Sequence, residues 1–288
     1  MKLTTLFTRT LLTAGVLATA ACSTTADEQA SVISNKEKAV ALISSIETGN
    51  PEPVAYINPE KYIQHNLAVG DGLAGFGEVM KALPEGSAKA KVLRAIEDDE
   101  YVVLHTKYNF FGPKVGFDVF RFEDGLIVEH WDNLQEQAPA NPSGRTQFDG
   151  PTEIKDLDKT EENKAIVADF VNTILMNGEM DQIGRFIGPN DEDYLQHNVA
   201  VADGLSGLGK AFAAMAENGV SMIYTKNHKV LGEGNFVVSI SEGEFLGNHV
   251  AYYDMFRVEN GMIVEHWDAI QEIPAKSEWK NQNGKFGF

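Results

Sequence analysis

Residues 121–136 read RFEDGLIVEHWDNLQE, and residues 257–272 read RVENGMIVEHWDAIQE. Eleven of these 16 aligned positions are identical, at an offset of 136. Upstream, Tyr62-Ile63-Gln64-His65-Asn66 recurs as Tyr194-Leu195-Gln196-His197-Asn198, at an offset of 132. Over 62–77 against 194–209, 11 of 16 positions agree. The order of the blocks is kept, and even the tails match, Asn141-Pro142-Ser143-Gly144 echoing Asn281-Gln282-Asn283-Gly284. A period near 130 residues is too long for a solenoid repeat and is the size of a whole domain. The chain of 288 residues therefore reads as two copies of one domain, 34–148 and 160–288, joined by an acidic, Pro-containing linker over 149–159.

Each copy has the same coarse order. Ala39, Leu42, Ile43 and Ile46 recur at helical spacing, and Gly49-Asn50-Pro51 ends that helix. Its counterpart spans about 161–176 and stops near Gly178. A short second helix is expected over 54–57 and 183–187, and Asp71 or Asp203 reads as the cap of a third. The period then changes to two. Strands are expected over 89–98, 100–110, 115–122 and 126–135, and near 220–231, 235–246, 249–258 and 262–272. Asp124-Gly125 and Asn260-Gly261 are hairpin turns. Helices followed by a strand meander imply an α+β class, with about three N-terminal helices covering one face of a curved antiparallel sheet in each copy.

Spacing orients the polar residues. On a strand, residues i and i+2 share a face, so His130 and Asp132 point one way, as do His266 and Asp268. Trp131 and Trp267 point the other way. A two-residue Asp124-Gly125 loop would pair Asp118 with Trp131 and turn it away, whereas a three-residue 123–125 loop with a glycine bulge, the reading adopted, sets Asp118 opposite His130 and Asp254 opposite His266. That register places Asp118, Phe120, Val128, His130 and Asp132 on one face, an apolar and acidic lining. An Asp beside a His in an apolar cavity is poised to move a proton next to a carbonyl, because burial and mutual attraction oppose each other in both groups. The plainer alternative makes His130 and His266 core histidines bonded to a neighbouring carboxylate.

The helical hairpin, the Tyr-Ile-Gln-His-Asn segment and the final hairpin ending in Ile127-Val128-Glu129-His130-Trp131-Asp132 resemble the SnoaL-like (polyketide cyclase-like) branch of the NTF2-like superfamily. The resemblance covers both copies. It implies a cone-shaped cavity between sheet and helices, and an acidic side chain working without metal or organic cofactor. Carried over, Asp118 and Asp254 take the acid/base position. His65, His130, His197 and His266 become neighbours able to orient or polarise a carbonyl, with Gln64, Gln196, Phe120, Asp132 and Asp268 in the lining. His105 is a further candidate for the lining. Copy two has Ile240 in its place, so a catalytic His105 would leave only the first copy active. His65, His130 and Asp132 would offer a zinc-like donor set, but no compact His-Glu-x-x-His motif is present, and no metal is expected. The resemblance also implies that the Trp131 and Trp267 faces make a dimer-type contact, here an intramolecular pseudo-dimer packed sheet to sheet.

Composition excludes other classes. Lys and Arg total 24 against 42 Asp and Glu, a net charge of −18, which opposes nucleic-acid binding. A single cysteine rules out an internal disulfide framework. The N-terminus carries Lys2 and Arg9, then an apolar run with small residues, and no acid before Asp27, which is the pattern of an export signal over 1–21. Cys22 closes Leu17-Ala18-Thr19-Ala20-Ala21-Cys22, which resembles a bacterial lipobox, with Thr19 where Leu is usual. That implies lipidation at Cys22, a tether over 22–33, contact with membrane only through the anchor, and a place on the periplasmic face of the outer membrane. Ordinary cleavage to a soluble periplasmic or secreted protein is the alternative. Three functions fit: acid/base catalysis on a small hydrophobic or carbonyl-containing ligand, ligand binding without turnover, or an interaction scaffold with filled cavities.

Overall fold

The computed structural model describes residue 1, residues 33–83 and residues 86–288. Cys22 and the export and tether readings lie outside the described residues, apart from Met1 and Ile33 at their ends.

In the first half, α1 (Asn35–Thr48) begins at a capping box. Ser34 Oγ accepts from the Glu37 amide, and the Glu37 carboxylate accepts from the Ser34 amide. It ends at Gly49 in the left-handed region, φ 67°. A 3-10 turn leads to β1 (Ile63–Gln64), then α2 (Gly72–Ala82) and the meander β2 (Lys89–Asp98), β3 (Tyr101–Asn109), β4 (Pro113–Glu123) and β5 (Leu126–Glu136). The second half repeats this. Its α3 (Thr160–Phe170) continues through a π-helical stretch to Met176. There follow β6 (Leu195–Gln196), α4 (Gly204–Glu217), β7 (Met222–Glu233), β8 (Phe236–Phe245), β9 (Asn248–Glu259) and β10 (Met262–Glu272). The sheets have matching orders, β1-β5-β4-β3-β2 and β6-β10-β9-β8-β7. All neighbours are antiparallel except the two short strands, which run parallel to β5 and β10.

Two details differ from expectation. Asp71 and Asp203 stand at the N-caps of α2 and α4, but their carboxylates accept from the Gln64 and Gln196 amides, both at 2.9 Å. They tie each helix start to the short strand. The second difference is the hairpin. Glu123 pairs with Leu126, so the turn has two residues, Asp124 (φ 49°) and Gly125 (φ 75°), both in the left-handed region that a type I′ turn requires. A bulge at Val128 then shifts the register by one. Asp118 therefore lies opposite Asp132 and Phe120 opposite His130, and likewise Asp254 opposite Asp268 and Phe256 opposite His266. From Glu129 onward the expected register is off by two, which leaves those side chains on their expected faces because the strand period is two, whereas Ile127, before the bulge, turns to the helix-covered face beside Phe122.

The helix-covered face of the first sheet holds Ala39, Leu42, Ile57, Val102, Leu104 and Phe120 in one buried cluster. The opposite face carries Val103, Phe117, Val119 and Trp131. These share a second cluster with Val238, Tyr253, Met255 and Trp267 from the other half. Asn133 Nδ2 bridges the sheets by donating to the carbonyls of Ala251 (3.0 Å) and Ala269 (2.7 Å). The segment after each sheet then crosses to the other half. Asn141 Nδ2 donates to the Gln196 and Val201 carbonyls, at 2.6 and 2.9 Å. Asn281 Nδ2 does the same to the Asn66 and Val69 carbonyls, at 2.8 and 2.9 Å. The matching tails of the sequence are thus a pair of exchanged arms.

Candidate active site

The Gln-His-Asn trio organises each site. It begins on a strand, so its side chains alternate: Gln64 and Asn66 face the helices, and His65 faces the other sheet. Gln64 Oε1 accepts from the Asn66 amide at 3.1 Å, which fixes the amide with its carbonyl oxygen inward. His130 Nδ1 lies 2.9 Å from that oxygen and must donate to it. The other ring nitrogen, Nε2, faces Asp118 Oδ1 at 3.3 Å. Asp118 Oδ2 accepts from the Tyr108 hydroxyl at 2.6 Å. Asn66 Nδ2 donates to Asp132 Oδ2 at 2.6 Å, its own oxygen being held by the Ala68 amide. The second half repeats the arrangement: His266 Nδ1 to Gln196 Oε1 at 2.9 Å, His266 Nε2 to Asp254 Oδ1 at 3.0 Å, and Asn198 Nδ2 to Asp268 Oδ2 at 2.5 Å. Phe120 and Phe256 stack on the two histidines.

With Nδ1 committed to donation, each Nε2 is left facing its aspartate. Burial raises Asp118 above the ordinary carboxylate range, with the bond to His130 opposing it. Burial raises Asp268 as well. For His266, burial works against the charged ring, but the Asp254 bond and the charge of Asp268 override it and move the value up. A histidine raised in the folded state adds stability that is complete below its unfolded value, about 6.5, and lost as pH rises through the folded value. Asp268 acts in the same direction at lower pH. The thermal midpoint should therefore fall from pH 6 to pH 9, and fall less in His266→Gln. Equal slopes for the two proteins would refute this assignment.

The polar groups open into cavities of different size. The cavity of the second half measures about 380 Å³ and that of the first about 110 Å³. In the first half Phe76 and Val79 stand where the second has Leu208 and Ala211, and α2 has 11 residues against 14 in α4. Oxygen and nitrogen atoms of Asp118, His130 and Asp132 lie within 4.8 Å of one another, as do those of Asp254, His266 and Asp268, a spacing that would admit a divalent ion. In each set the histidine Nε2 and the facing carboxylate oxygen already lie within hydrogen-bond reach of one another.

Gln64, Phe120 and Asp132 line the first cavity beside Asp118 and His130, and Gln196 lines the second beside Asp254 and His266. Four expected lining residues lie elsewhere: Asp268 stands behind the second cavity, bonded to Asn198, and three histidines lie on the other face of their sheets. His65 and His197 cross to the face between the sheets, where Nε2 meets Glu129 (2.9 Å) and Glu265 (2.8 Å) and the rings stack on Trp131 and Trp267. His105 also lies there, stacked on Phe117 and bonded through Nδ1 to Arg94 at 2.9 Å. It shares the face of Val103, not that of Asp118, so it cannot distinguish the two sites. Sequence reasoning missed the tyrosine partner of each aspartate and the role of the two asparagines. For the asparagines the signal was available, since two residues after Gln64 is the same face.

Each half is an α+β unit, a five-stranded sheet with helices over one face. Among similar solved structures, TsrD from Streptomyces laurentii is 18% identical, with a TM-score of 0.30, covering 34% of this chain and 86% of its own. An NTF2-like protein of unknown function from Cytophaga hutchinsonii is 16% identical, with a TM-score of 0.33, covering 37% and 94%. An LEH-like epoxide hydrolase from M. tuberculosis is 19% identical, with a TM-score of 0.29, covering 39% and 85%. No family model and no curated protein matches the chain.

Proposed function

We propose that this chain is an acid/base catalyst of carbonyl chemistry, working without an organic cofactor, with cyclisation, aldol-type reaction, isomerisation and dehydration as the reaction types. The observation that carries the reading is the Asp254–His266 pair at one polar spot of a cavity otherwise lined by residues such as Phe170, Leu208, Phe212, Met215 and Ile270. A small hydrophobic ligand would place its apolar body against these and its carbonyl near the pair. Asp254 would take a proton from the carbon beside the carbonyl, and the ring of His266, held by Gln196, would carry charge as it moves. The apolar lining strengthens both steps.

The same apolar lining favours a second reading, ligand binding without turnover. Titration with a series of apolar ketones, followed by native mass spectrometry, separates the two. One equivalent should bind, and Ala211→Trp, which fills the larger cavity, should abolish it. Unchanged binding in Ala211→Trp would sink both readings for this half. Binding with no chemical change in any ketone would leave the second.

Export through residues 1–21 and lipidation at Cys22 belong to the same proposal. Among the described residues no helix is long and apolar enough to cross a membrane. The intact mass of the membrane-fraction protein tests the anchor: an unmodified Cys22 there would reject it.

A further inference from the structure

In both halves a tyrosine hydroxyl reaches the aspartate, but from different strands. Leu104 lies opposite Asp118, and Ser239 opposite Asp254. Four residues further along the same strands stand Tyr108 on β3 and Gly243 on β8. Tyr108 pairs with Ala90 on β2, whereas Gly243 pairs with Tyr224 on β7. The tyrosine has moved one strand over. Tyr108 donates to Asp118 Oδ2 at 2.6 Å, and Tyr224 lies 3.2 and 3.3 Å from the two oxygens of Asp254. Glycines clear the space differently as well. A Cβ on Gly116 would sit 2.6 Å from the Tyr108 ring, and the position matching Gly116 holds Tyr252, stacked on Tyr224 at 4.0 Å.

Duplication by itself copies a residue at its own position. It does not place the same hydroxyl on the same carboxylate from a neighbouring strand. That outcome takes at least two substitutions at different positions, and what the two halves share is the contact. We infer that Tyr108 and Tyr224 are positioning residues of the acid/base site, each holding its aspartate with one hydroxyl, Tyr108 at Oδ2 and Tyr224 between the two oxygens, so that the carboxylate stays aimed at the histidine. The inference rests on the acid/base reading for its purpose, and its test needs no substrate.

The groups facing Asp118 are His130 and Asp132 from β5, Tyr108 from β3, and Tyr62 just before β1. Those facing Asp254 are His266 and Asp268 from β10, Tyr224 from β7, Tyr252 from β9, and Tyr194 just before β6. A hydrogen bond to a carboxylate favours its charged form, so losing one raises its titration point. Carboxyl ¹³C NMR of the full chain, with Asp118→Asn and Asp254→Asn to assign the signals, reads this directly. Tyr108→Phe should raise the titration of Asp118, and Tyr224→Phe that of Asp254, each by about one pH unit, the scale of a bond to a charged group. Tyr252→Phe is the control, because that hydroxyl donates to the Glu244 carbonyl at 2.8 Å. In the first half, Tyr108→Ala combined with Ala90→Tyr moves the hydroxyl to the strand used by the second half and should restore the parent titration. Unmoved titration in both Phe variants, or an equal shift in Tyr252→Phe, would overturn the inference. Loss of carbonyl turnover in the Asn variants is a separate result, so the two ideas fail separately.

Discussion

Asp254→Asn is expected to lower turnover of a carbonyl substrate by about 10²–10⁴-fold, the usual contribution of a positioned general base. The amide keeps the shape of the carboxylate and can still bond the imidazole and the tyrosine, so folding should change little. Asp118→Asn makes the comparison. Its cavity of about 110 Å³ admits only a small ligand, whereas the other, at about 380 Å³, admits one of several fused or linked rings. With a large substrate the second half should carry the turnover, and Asp118→Asn should stay close to the parent. With a small one each single variant should lose its own share and the double variant nearly all. Full activity in the double variant would reject proton transfer by these aspartates and leave ligand binding as the function.

Deleting residues 280–288 should destabilise the protein by about 3–5 kcal/mol, the cost of losing one large buried aromatic contact. Phe288 stacks on Trp131 at 4.4 Å, and the Gly284 carbonyl lies 2.8 Å from His65 Nδ1. Lys285, only 5% exposed, donates to the Asp132 carbonyl and to Gln271 Oε1, both at 2.6 Å. Burial lowers the Lys285 ammonium, with Asp132 opposing the shift. Removal of the arm uncovers Trp131 and the His65–Glu129 pair together. The His65 amide also donates to the His130 carbonyl at 2.8 Å, so the loss should reach the first site. Urea unfolding of the full and shortened chains measures the difference, and an unchanged midpoint would show that the arm merely rests on the surface.

The strands, the hairpins and the faces of Asp118, His130 and Trp131 were legible because a period of two survives any even error in register. The wrong loop length is by itself an odd error that would turn Asp118 away, and the bulge at Val128 supplies the second step that makes the total even. A bulge at Val128 was not legible, since nothing in Ile127-Val128-Glu129 distinguishes the extra residue. His65 and His197 were misplaced because matching polar residues in both copies were read as one group, although alternation splits them between faces. His105 lies on β3 with its side chain on the face of Val103, and a sheet buried on both sides gives no polar face by which to choose. Tyr108 and Tyr224 escaped notice because alignment looks for the same residue at the same position, and here the hydroxyl is supplied from different positions.

The exchanged arms have a consequence for how such a molecule changes over generations. A dimer of identical subunits carries each substitution twice, so its two compartments widen or narrow together. Here the arm of either half is anchored on the other, yet both belong to one gene. Leu208 and Ala211 can differ from Phe76 and Val79 without disturbing the partner that holds the frame. One compartment is free to drift toward a new ligand while its twin preserves the architecture.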